Sequence, residues 1–191
     1  MPGTRVWQVL LIVSTIGLSW LGMMAVHELG HVLAAWLSGG RVVGVVLHPL
    51  AISRTDVAPN PRPRLVAWGG PLFGTIAPLC MLAGARLAAR RYRYLLAFFA
   101  GFCCVANGLY LAVGSWASVG DAGDLLRHGA ARWQLILFGI PSAAVGLWLW
   151  NGLGPHFGFG AAHGKVDRAV SVWLASALLT MIFVELLLSP R

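Results

Sequence analysis

Five apolar runs, each long enough to cross a bilayer, constrain this chain more than any other feature. They cover about residues 7–37, 65–89, 94–116, 133–153 and 166–188 of 191. A spanning helix needs roughly 20 apolar residues. In hydrocarbon every backbone N–H and C=O must find its partner within the structure, which makes each such run a helix. The first run is about 46 Å long as a helix, against a hydrocarbon core of about 30 Å, so it must tilt, protrude or be sheltered by its neighbours. Composition agrees: 10% of residues are charged, against about 25% in soluble domains. Because the apolar material continues to residue 188, a cleavable leader ahead of a soluble domain does not account for it. The expected fold is an all-α polytopic membrane protein. One membrane-embedded domain would cover residues 1–191, with a core at about 7–126 and additional spans at about 133–153 and 166–188.

One segment departs from this pattern. After Gly39 and Gly40, "RVVGVVLHPLAISRTDVAPNPRPR" is rich in β-branched residues, is interrupted by His48-Pro49 and closes on Pro59, Pro61 and Pro63. That pattern predicts a short membrane-associated β-hairpin after the first helix. In the fourth run Pro141 predicts a kink or a late start, and "NGLGPHFGFGAAHGK" reads as a loop. The net charge of +8 comes from basic residues that flank the apolar runs, as loop charges at a lipid surface do, which argues against nucleic-acid binding. These residues, Arg191 among them, divide evenly between the two faces of a five-span chain, so charge does not set its orientation. Cys80, Cys103 and Cys104 sit in apolar runs without metal-ligand spacing and read as buried small hydrophobes rather than a disulfide framework.

The first run carries "AVHELGHVLAA", with three titratable groups where only apolar ones are expected. Burying His27, Glu28 and His31 without a ligand would cost several kcal/mol. Histidines four apart lie on one helix face and can bind one zinc ion, with the intervening glutamate placed to act as a general base. A catalytic zinc usually takes three protein ligands, so one more must come from elsewhere. Glu185 and Asp56 are available carboxylates, but Asp121 and Asp124 follow the third run on the face toward which the motif lies. Asp121 is favoured, with Asp124 as the alternative, because Asp124 is also well placed to cap a short "DLLRHG" helix or to pair with Arg127 or Arg132.

With "HELGH" in the first run, "GGPLFG" opening the second, and Asn107 ahead of "GDAGD", the chain resembles the site-2 protease family of intramembrane zinc metalloproteases. The resemblance covers about residues 15–126. It implies a three-helix core, zinc held by His27, His31 and Asp121, Glu28 as the catalytic base, and Asn107 with Gly69, Gly70 and Pro71 near substrate. The hairpin is similar to the family's membrane-associated β element.

The expected function is therefore zinc-dependent cleavage of a transmembrane protein or peptide within or near the bilayer. An edge strand in residues 41–57 would accept the unwound substrate by strand addition. The expected setting is a bacterial cytoplasmic membrane, with the lipid bilayer and the substrate as partners and no nucleic acid; oligomeric state is left open. Two alternatives stand beside this reading. A non-catalytic scaffold or binding protein of the same fold would not need Glu28, and a metal transporter would need ligands at successive depths, whereas His48, His128, His156 and His163 all fall outside the runs.

Overall fold

A computed structural model describes residues 2–88 and 90–189; Ala89, at the end of the second expected run, and Arg191 lie outside the described residues. Among the described residues, six α-helices and one hairpin follow in the order α1 (Pro2–Leu37), β1 (Val42–Val46), β2 (Arg54–Val57), α2 (Pro63–Ala88), α3 (Arg93–Ala117), α4 (Gly120–Arg127), α5 (Arg132–Trp150) and α6 (Arg168–Leu188), with short 3-10 turns between some of them. All but the eight-residue α4 are long and apolar enough to cross a membrane. The five-span reading and the hairpin after the first helix both hold. The first helix ends where its glycines predict: Gly39 adopts φ +77°, and the Gly40 N–H returns to the Ala35 carbonyl at 2.8 Å.

The helices close on one another through glycine, as expected where lipid supplies no hydrophobic drive and close backbone approach must supply the attraction. Gly30 of α1 meets Gly69 of α2, where a Cβ on Gly69 would lie 2.6 Å from the Gly30 carbonyl oxygen. Gly108 meets Gly139, and Gly101 meets Gly146, between α3 and α5, and the Trp150 indole seals that contact by donating to the Phe98 carbonyl at 3.0 Å. On the other flank α6 lies along α1, with Leu178 against Gly17.

The short α4 is fixed from several sides. Leu125 and Ala122 are fully buried against Leu111 of α3 and Leu135 of α5, with Trp68 of α2 packed on the same cluster. Its start is set by a turn in which Ser118 takes a left-handed conformation and returns its N–H to Gly114, followed by Gly120 at φ +54°. A side chain at position 120 would be strained by that φ and would also strike the Tyr110 hydroxyl. This turn starts the helix earlier than the "DLLRHG" reading does. Asp124 is consequently not an N-cap; it lies inside α4, and its carboxylate pairs with Arg127.

Three further details differ from the sequence reading. Helix α5 begins at Arg132, so Pro141 sits within it and does not mark a late start. Residues 151–165 hold two short 3-10 turns, Gly154–Phe157 and Gly160–Ala162, rather than irregular loop alone. Cys103 and Cys104 are buried, whereas Cys80 is exposed on the outer face of α2.

The hairpin pairs antiparallel, with Val46 opposite Arg54 and Val45 opposite Thr55. Arg54 and Asp56 point outward and pair with each other, while Thr55 and Val57 point inward, so the two-residue periodicity of the strand aims Thr55 at α1.

Candidate metal centre

His27 and His31 lie one turn apart on α1, and their Nε2 atoms approach within 3.1 Å. Asp121, at the first turn of α4, brings its Oδ2 to 2.9 Å from His27 Nε2 and 3.3 Å from His31 Nε2. Ligand atoms of the three residues all fall within 4.8 Å of one another.

The other ring nitrogens decide what kind of cluster this is. His31 Nδ1 lies 2.8 Å from the Val66 carbonyl, which only accepts, so Nδ1 carries the proton. His27 Nδ1 lies 2.6 Å from Asn107 Oδ1, and Asn107 is oriented by its own Nδ2 donating to the Cys103 carbonyl at 2.9 Å. Its oxygen therefore faces His27 and accepts. Both neutral imidazoles thus turn an Nε2 lone pair toward a carboxylate oxygen, and three acceptors that close repel unless positive charge lies among them. A proton on one imidazole supplies it in part; a metal ion satisfies all three at once.

The spacing fits such an ion. Tetrahedral ligands at about 2.0–2.1 Å from zinc stand about 3.3 Å apart, close to the separations found. Where a proton on the histidines supplies that positive charge, burial pushes the Asp121 carboxyl up, but hydrogen bonds and charge from protonated His27 and His31 outweigh it and hold the group well below the usual carboxylate range.

Gly70 leaves the room. A Cβ there would lie 2.7 Å from His27 Nε2 and closer still to His31 Nε2. The backbone of α2 thus forms one wall, and the next residue, the buried Pro71, interrupts that helix's hydrogen-bond ladder. Gly74, one turn on, gives way to the Asn107 carboxamide.

Glu28 is 2% exposed, and its Oε2 accepts from the Thr55 hydroxyl of β2 at 2.7 Å. The cluster opens into a cavity of about 790 Å³. On one side residues 51–58 of the hairpin border it; on the other it continues along α1 and α3 past Trp20, Met23, Met24 and Ala106, while Asp124 and His128 stand at its polar rim.

The structure therefore brings His27, Glu28, His31, Asn107 and Asp121 together around one cavity, with Gly70 behind the two histidines; Gly69 and Pro71 do not line it. It does not bring Asp124, whose side chain is 49% exposed, into the cluster, and Glu185 lines a different cavity. Asp56 borders the site's cavity but pairs with Arg54. His156 stacks on Tyr94 at the far end of α3.

Sequence reasoning did not single out Thr55, Val66 or Tyr110, whose hydroxyl accepts from the Asp121 N–H at 3.1 Å. Tyr110 had a signal, since it lies three residues after Asn107 on the same helix face. Val66 acts through its backbone, and no residue pattern marks that.

Fold and cluster together define the class: a multi-pass membrane protein with a His-His-Asp group, its histidines buried and its aspartate partly so, and an adjacent glutamate. A family model described as Peptidase M50B-like matches residues 4–120, well over half of the chain, and the chain belongs to that family. The match stops one residue before Asp121, so that residue's membership of the cluster rests on geometry. No curated protein and no solved structure matches the chain.

Proposed function

We propose that the protein is a zinc-dependent intramembrane endopeptidase that cleaves a membrane-protein substrate at the His27, His31 and Asp121 cluster. The observation that carries this reading is the convergence of three acceptors beside a buried glutamate that belongs to none of their hydrogen bonds. A structural metal has no use for that glutamate.

Held there by His27, His31 and Asp121, a zinc ion would supply Lewis acidity toward a water and a substrate carbonyl. Glu28 takes the proton from the attacking water at its carboxylate and later delivers it to the departing amide nitrogen. Asn107 and Val66 hold the two imidazoles in the tautomer that leaves Nε2 free. The buried surroundings exclude bulk water, and the polar rim of the cavity admits it from one face.

A helical substrate keeps its amides in hydrogen bonds and must be unwound. Strand β2 has β1 on one side only, and residues 51–58 run along the cavity, which suits strand addition by an unwound segment. Thr55 then links the strand to the base. Thr55→Val is expected to lower turnover by about tenfold or more, the worth of a hydrogen bond to a charged group, without loss of zinc, and Thr55→Ser is expected to retain it. Equal turnover in Thr55→Val and wild type, measured at matched metal content, would remove Thr55 from the mechanism.

The functional test compares membranes containing wild-type protein with membranes containing Glu28→Gln. Small membrane proteins should accumulate in the variant alone, and their cleavage products should be confined to wild type. Identical membrane proteomes, together with unaltered zinc binding, would favour a non-catalytic binding protein. Glu28-independent movement of zinc across vesicles would favour a transporter.

A further inference from the structure

A second cavity, of about 710 Å³, shares no lining residue with the cavity of the metal centre. Helix α6 forms its long wall through Trp173, Ala177, Thr180, Met181 and Leu188, while Ala25 of α1 and Val45 and Leu47 of β1 form the rest. Residues 173, 177, 180, 181, 184 and 188 recur at helical spacing, so this is one face of α6, with small and hydroxyl residues where another helix can approach closely. The wall is mostly apolar, with the hydroxyls of Ser176, Thr180 and Ser189, and it carries one ionisable group. Glu185 is 5% exposed, and neither of its oxygens has a hydrogen-bond partner among the described residues.

An unpaired carboxylate in a membrane-spanning helix is costly and calls for a partner. Among the described residues no lysine, arginine or histidine pairs with Glu185, and the described ion pairs, Arg54 with Asp56, Arg127 with Asp124 and Arg91 with Asp167, do not include it. The apolar walls suit the stem of a long basic side chain, and Glu185 suits its head. Glu185 also stands one turn from the end of α6, at a depth from which such a side chain can reach the membrane surface.

We infer that the groove between α1, β1 and α6 docks a membrane-spanning helix of a partner protein that carries a lysine or arginine in its terminal turn, paired with Glu185. The inference stands apart from the hydrolytic reading, since it uses none of the residues that line the metal cavity. It also gives the hairpin two sides, with β2 and Val43 of β1 on the metal cavity and Val45 of β1 on the docked helix.

The test uses the full chain in phosphatidylcholine vesicles and two synthetic spanning peptides, one with lysine in the last turn and one with leucine there, each bearing a photoreactive leucine. The lysine peptide is expected to associate about tenfold more tightly, with cross-links mapping to residues 173–188. Glu185→Gln should reduce it to the level of the leucine peptide without changing zinc content. Glu185→Lys should transfer the preference to a glutamate-bearing peptide. Equal association of the two peptides with wild type, a lysine preference that survives Glu185→Gln, or cross-links only between copies of the chain would each overturn the proposal.

Discussion

Glu28→Gln is expected to bind zinc like the wild type and to lose about two to four orders of magnitude in turnover, the usual contribution of a positioned general base. The substitution is close to isosteric, and the Thr55 hydroxyl can still donate to the amide oxygen as it does to Oε2 at 2.7 Å. The hairpin therefore keeps its place against α1. What disappears is a group able to accept a proton beside His27 and His31. The two readouts separate the roles: metal analysis of the purified variant reports the cluster, and cleavage of an identified substrate reports the base. Undiminished cleavage would remove Glu28 from the chemistry. Parallel loss of zinc would make it a structural part of the metal centre instead.

Gly70→Ala is expected to abolish zinc binding while leaving a folded helical protein. The added methyl would sit 2.7 Å from His27 Nε2 and press still harder on His31 Nε2, in the space on which the ligand atoms converge. Backbone at that point cannot retreat, because Gly30 and Gly69 already bring α1 and α2 into contact one residue earlier. Helix propensity favours alanine over glycine by about 1 kcal/mol, so secondary structure should not suffer. Circular dichroism near that of wild type with zinc below a tenth of its stoichiometry is the expected pair of results. Full zinc occupancy in Gly70→Ala would show that the ligands lie elsewhere.

Gly120→Ala should act on the same centre from the other side. It combines a strained φ of +54° with a clash at the Tyr110 hydroxyl, and both displace the first turn of α4 that carries Asp121. Weakened zinc binding, measured by chelator competition, is the expected outcome, with α3 and α5 intact.

Much of this architecture is legible in the sequence because it rests on local patterns. The spans follow from apolar length, and the hairpin from valines broken by His48-Pro49 and closed by prolines. His27 and His31 share a face by spacing alone. The choice between Asp121 and Asp124 was less accessible, since they lie three positions apart on one short helix. The turn at Ser118 and Gly120 decides which one faces α1, and a left-handed serine carries no strong sequence signal. Thr55 and Glu28 are 27 residues apart, and their contact depends on how the hairpin folds back over α1. The isolation of Glu185 depends on which side of α1 receives α6, a matter of packing between Gly17 and Leu178 that composition does not reveal.

The central claim is that His27, His31 and Asp121 together hold a catalytic zinc, and X-ray absorption at the zinc edge of the purified full chain tests it most directly. About one zinc per chain is expected, with two imidazole nitrogens and only light-atom oxygen neighbours at about 2.0–2.1 Å. Asp121→Ala should change that shell, and Asp124→Ala should leave it as it was. A chain purified without zinc and unable to take it up, or a shell altered by Asp124→Ala and not by Asp121→Ala, would contradict the account.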